Sequence, residues 1–130
     1  MKKKQVKKKE PTQTIISCDI HLKTLSKLTR KQAEVLCNGA SEGKLICFTD
    51  VEDNYELQVT YPFVLIHKFD LARENIDYVG GLFWEIAQCY KKLYRAPVKN
   101  KIWGHGFEDL ALEGVIIDHG KQIITLNVGS

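Results

Sequence analysis

The sequence has no apolar run near the roughly 18 residues a membrane helix needs, no closely spaced cysteine pair, and no phosphate-binding or nucleophile signature. Each absence removes a class of function. Without a membrane-length segment, a soluble chain is expected. The opening lysines resemble the charged part of a signal peptide, yet Pro11, Thr12, Gln13 and Thr14 stand where its apolar part would be, so a cytoplasmic, reducing location is expected. Cys18, Cys37, Cys47 and Cys89 form no C-x-x-C pair and each falls on the apolar face of an expected helix or strand. They read as buried free thiols, and neither a metal nor a cofactor is expected. The patterns G-x-x-x-x-G-K-[S/T], G-x-G-x-x-G and G-x-S-x-G are missing. Serine is scarce as well: Ser17 lies on the wet side of a strand, Ser26 and Ser41 flank a helix, and Ser130 is terminal, which leaves no evident nucleophile.

What the chain does have is charge at one end. Lys2, Lys3, Lys4, Lys7, Lys8 and Lys9 stand against Glu10 alone, a balance of +5 in a chain whose total is +3, so the residues after 10 carry −2. Any attraction to polyanions is therefore separable from the fold. Residues 1–11 are expected to be a disordered lysine-rich tail and residues 12–130 a single α+β domain, since 44% apolar and 27% charged residues are ordinary for a globular chain.

Along that domain, Ile16, Cys18, Ile20 and Leu22 alternate with Ser17, Asp19 and His21, the period of a strand with one wet face. Thr29-Arg30-Lys31-Gln32 has the form of a capping box, so a helix should start at Arg30, with Ala33, Leu36, Cys37 and Ala40 as its apolar stripe and Gly39 or Gly43 as its stop. Strands are expected over residues 44–49 and 55–61, joined as a hairpin by Asp50-Val51-Glu52-Asp53-Asn54. Pro62 must sit at a strand end, edge or bulge, and the apolar run 63–66 either resumes that strand or starts another. A long helix is expected from about residue 75 to 95 on the spacing of Val79, Leu82, Phe83, Ile86, Cys89, Tyr90 and Leu93, stopped by Ala96-Pro97. Gly80-Gly81 within it implies close approach of another backbone or a bend, read as tight packing of the helix on the sheet. Residues 110–117 and 122–128 read as a second hairpin, with a turn centred on His119-Gly120 that pairs Ile117 with Gln122 and Val115 with Ile124. Both of its faces carry aliphatic residues, so cover on more than one side is expected.

The order β-α-β-β-α-β-β describes an α+β fold, a mainly antiparallel sheet with two helices on one side. Its nearest plan is a ferredoxin-like βαββαβ core with an added C-terminal hairpin strand. That plan hosts many functions and licenses none. An RNA-binding version needs stacking aromatics and basic residues on the outer sheet face, whereas the first and third strands offer Ser17, Asp19, His21, Glu56, Gln58 and Thr60.

Three readings follow. The leading one is a non-catalytic binding or accessory domain that meets another protein through Trp103, His105 and Phe107 and the C-terminal hairpin, with a homodimer through that hairpin as one form. The second is a nucleic-acid-associated protein that uses the lysine tail, Lys2, Lys3, Lys4, Lys7, Lys8 and Lys9. The third is a small enzyme or metal site in the loop 101–109, where His105, Glu108 and Asp109 place a base and two carboxylates within five residues. Against the third, no H-x-x-x-H, H-E-x-x-H or D-x-D spacing accompanies them.

Overall fold

The computed structural model describes residues 13–38, 54–96, 99 and 105–130. The alternation around Cys18 becomes β1 (Gln13–His21), whose exposure alternates along its whole length. A five-residue helix, α1 (Leu22–Ser26), follows at once and buries Leu22 and Leu25, spaced i and i+3. It raises the number of helices to three where two were expected, because five residues are too few to display a helical period. The capping box then starts α2 (Arg30–Asn38) as expected: Gln32 N donates to Thr29 Oγ1 at 3.1 Å and Thr29 N donates to Gln32 Oε1 at 2.9 Å. The stripe of α2 is only partly core. Ala33 is fully buried, but Leu36 is 54% exposed.

The strand expected over residues 44–49 lies outside the described residues. The next described strand, β2 (Tyr55–Val59), pairs antiparallel with β3 (His67–Leu71) and parallel with the last strand. The run 63–66 neither continues β2 nor starts β3; it is the turn between them, with Pro62 just past the strand end. The alternation that forms β3 was present in the sequence as His67, Phe69 and Leu71 against Lys68 and Asp70. A single 3₁₀ turn (Arg73–Asn75) leads to α3 (Val79–Tyr94), and a second (Phe107–Asp109) leads to β4 (Ala111–Asp118) and β5 (Ile123–Gly129).

The sheet runs β1-β4-β5-β2-β3. Its β5–β2 contact is parallel, so it is a mixed sheet rather than the mainly antiparallel one expected. Nor is the order ferredoxin-like among these strands. That plan threads each βαβ unit around an intervening strand, which places the first strand inside the sheet, and here β1 is an edge. The hairpin register also differs from expectation: Ile117 pairs with Ile124 and Val115 with Leu126, leaving residues 119–122 as the turn. The left-handed residue is Gln122, at φ 57°, rather than Gly120. Because the shift is two residues, the inward and outward faces keep the assignment the sequence implied.

All three helices cover one face. Tyr55, Leu57 and Val59 of β2, Val115 and Ile117 of β4 and Ile124 of β5 are fully buried against Leu82, Ile86, Ala87 and Tyr90 of α3. Each such aliphatic side chain contributes about 1.5–3 kcal/mol relative to exposure. No described element covers the other face, so the two-sided cover expected for the hairpin is not present among the described residues. Ile116 and Ile123 of the hairpin are half-buried there, beside the 67% exposed Ile15 of β1.

At the lower end of the sheet, three elements meet on His119. Its Nε2 lies 2.7 Å from Thr14 Oγ1 of β1 and its Nδ1 lies 2.9 Å from Tyr55 OH of β2. In the neutral imidazole one ring nitrogen donates its N–H to a hydroxyl while the other accepts a hydroxyl proton. Burial lowers its pKa below the ordinary 6.5, and Asp118 opposes the shift weakly. The unfolded chain therefore takes up the proton first. The stabilisation is complete above the unfolded pKa and is lost as pH falls from about 6.5 through the lower folded value. In urea unfolding at pH 7.5 and 5.5 (conditions set about that window), the native chain is expected to lose more stability on acidification than His119→Gln, and equal losses would remove His119 from the account.

Candidate functional site

The loop that concentrates polar and aromatic residues in the sequence reaches the upper end of the sheet, where β2 ends and β3 begins. Trp103 lies outside the described residues, as do the other residues of 101–104. His105 and Phe107 are described and half-buried, and they join a group of rings contributed by the turn after β2, the start of β3 and α3. Tyr61 OH is the hub: it lies 3.2 Å from His105 Nε2 and 2.8 Å from Ser130 Oγ. From below, Tyr90 OH donates to Tyr61 O at 2.6 Å and Tyr94 OH donates to His105 O at 2.9 Å. The Tyr94 and Phe107 rings stack at 5.1 Å, and Phe63 meets Tyr90, Tyr94 and His67 at 5.8, 6.0 and 5.0 Å.

These contacts follow from helix geometry. Tyr90 and Tyr94 are one turn apart on α3, so both point at the same place, where their rings bury against β2 and the 107–109 turn. Burial raises both phenols, Tyr94 to about 12, with Tyr61 adding to each shift. They stay protonated at neutral pH and act as fixed donors to two backbone carbonyls. His67 Nε2 is buried in the same region with no hydrogen-bond partner among the described residues.

The three residues considered for catalysis do not converge. His105 turns to Tyr61, whereas the Glu108 carboxylate lies over Gly106 and stands 3.9 Å from Lys23 Nζ of α1. Asp109 is exposed, and no hydrogen bond joins either carboxylate to His105 among the described residues. No group of three or more His, Cys, Asp or Glu side chains could hold a metal ion among the described residues. Cys18 and Cys37 are half-buried and Cys89 is buried, all free, while Cys47 lies outside the described residues. Burial pushes these thiols up, Cys18 to about 11 and Cys89 to about 12, so they are protonated and poor nucleophiles. No helix among the described residues is long and apolar enough to cross a membrane.

What the sequence reading missed at this end is the turn itself. Val64, Leu65 and Ile66 are 52%, 58% and 57% exposed, next to Tyr61 at 36%. Three consecutive exposed aliphatic residues are unusual on a soluble surface without a role. The signal for it is the aliphatic run directly after Pro62, a pattern that by itself is equally that of a strand. Its backbone is held at the start: Phe63 N donates to Thr60 O at 2.8 Å and the Phe63 ring is 9% exposed among the tyrosines.

No protein-family model matches this chain, and neither a curated protein nor a solved structure does.

Proposed function

We propose that this chain is a non-catalytic binding domain of the cytoplasm that meets a protein partner through the turn Val64-Leu65-Ile66 and the adjoining Tyr61, His105 and Phe107. The observation that carries this reading is the exposure of three successive aliphatic side chains on a turn anchored by buried aromatics. A flexible apolar loop would lose conformational entropy on binding, whereas an anchored one has already lost most of it. Tyr61 and His105 supply polar atoms at the rim of the apolar surface, the arrangement of an interface with a dry centre and a hydrogen-bonding edge. The separation of His105 from Glu108 and Asp109 weighs against the enzyme reading.

The test is a triple substitution, Val64→Ser, Leu65→Asp and Ile66→Ser. None of the three side chains is buried, so stability should change by no more than about 0.5 kcal/mol. Affinity capture from the source cell with native and substituted chains should show a protein retained by the first and lost by the second. Identical captured sets would mean that this turn is not the contact.

A further inference from the structure

The sheet face that no described element covers has a charge opposite to that of the segment that enters it. The register places Gln13, Asp118, Ile123, Glu56 and Asp70 in one row across all five strands. Asp19 lies on the same face further along β1, and Lys68 is the cation in the next row. The Glu56 and Asp70 carboxylates accept neutral amide hydrogens, from Gln58 Nε2 and Asn54 Nδ2 at 2.8 Å each, and neither forms a salt bridge among the described residues. The chain enters this row from its edge, at Gln13, directly after a segment with six lysines and one acid.

We propose that residues 1–12 dock back across this face, with Lys7, Lys8 and Lys9 over the row of Asp118, Glu56 and Asp70. Reach supports it. Lys9, Lys8 and Lys7 precede Gln13 by four, five and six residues and extend at most about 14, 17 and 21 Å from it. Asp118, Glu56 and Asp70 lie one, three and four strands from Gln13, about 5, 14 and 19 Å at the usual strand spacing. Lys2, Lys3 and Lys4 then extend beyond the far edge. The exposed Ile15 and the half-buried Ile116 border the row and the half-buried Ile123 lies within it, so the lysine stems have apolar surface to lie on. A tail held this way competes with its own attraction to external polyanions: the face is an intramolecular counter-charge that weakens nucleic-acid binding by the tail.

Zero-length carbodiimide coupling of the full chain at low salt, followed by peptide mapping of the monomer and dimer bands, decides the matter. Amide links from Lys7, Lys8 and Lys9 should fall on Glu56, Asp70 and Asp118 about fivefold more often than on the helix-side Glu34 and Glu74, and should decline at about 0.5 M salt, where surface charges are screened. Links spread evenly over all carboxylates overturn the proposal. So does a majority of links between isotopically distinguished copies, which would make the face a contact with a second chain. Glu56→Gln with Asp70→Asn should also raise the full chain's affinity for a labelled duplex by about threefold or more at low salt. Unchanged duplex affinity in that variant overturns the proposal as well.

Discussion

Gly80→Ala is expected to lower the stability of this domain by about 2–3 kcal/mol and its melting temperature by about 10 °C, despite the better helix propensity of alanine. A methyl group at position 80 would run into the Glu34 Cα and would stand 2.8 Å from Ala33 O and 2.9 Å from Glu34 N. All three are backbone atoms of α2, so no side chain can turn aside. The helix would have to move as a body. Alanine gains about 1 kcal/mol of helix propensity over glycine, and moving a packed helix off its neighbour costs more. Gly120→Ala is the matching control: the nearest atom to its methyl group is Asp118 Oδ1 at 3.5 Å, ordinary contact, and its φ is not in the left-handed region. Thermal melts of the two variants beside the native chain make the measurement. Equal small shifts would mean that α2 and α3 are less closely apposed than described.

Arg30→Ala should cost about 2 kcal/mol, the second large effect, and Arg30→Lys should recover little of it. The Arg30 guanidinium does three things at once at the start of α2. It pairs with the Glu85 carboxylate of α3, donates to Asn75 O at 2.9 Å, and stands 4.9 Å from the centroid of the Trp84 ring. Its side chain is 32% exposed and that of Glu85 20%, so screening reduces the ion pair below the value of a fully buried one. Losing the arginine leaves the half-buried Glu85 without its cation and Asn75 O without this donor. Lysine restores a charge but has neither the planar face that lies over Trp84 nor two donors aimed in different directions. Denaturant melts of both variants check this, and full rescue by lysine would reduce the contact to charge alone. Gly80 and Arg30 act on the same pair of helices, so their combined effect should depart from the sum.

The same contact shows how an expectation from sequence can be right in kind and wrong in place. Gly80-Gly81 in a helix calls for close backbone approach, and the structure has it, but the neighbour is α2 rather than the sheet. Glycine reports that something comes near without reporting what, because the missing Cβ carries no information about the partner. Thr29 and Gln32 behave differently. Their capping bonds close within four residues, so the sequence alone is enough to locate the start of α2.

Strand faces were legible for the same reason. Residues two apart share a face whatever lies beside them, and Ile16, Cys18 and Ile20, or Leu57 and Val59, turn inward as their alternation requires. Strand neighbours were not. That β2 lies between β3 and β5, parallel to the latter, depends on which hydrophobic rows fit together over sequence separations of more than 60 residues. No local period records that choice.

The candidate site divides along the same line. His105 and Phe107 could be singled out by composition, as could the lysines that precede β1. Only the folded chain shows that Tyr61, Tyr90 and Tyr94 converge on that loop, that Glu108 turns away to Lys23, and that Val64-Leu65-Ile66 faces solvent. The sequence by itself determined the charged end, the faces of the strands, the capped start of α2 and the apolar stripe of α3, since each is set by residues within a few positions of one another. The tertiary structure decided strand order, the apposition of α2 on α3 and the makeup of the upper end. These depend on long-range packing, in which an aliphatic run such as 63–66 can serve as core or as surface according to what the rest of the chain leaves to cover it.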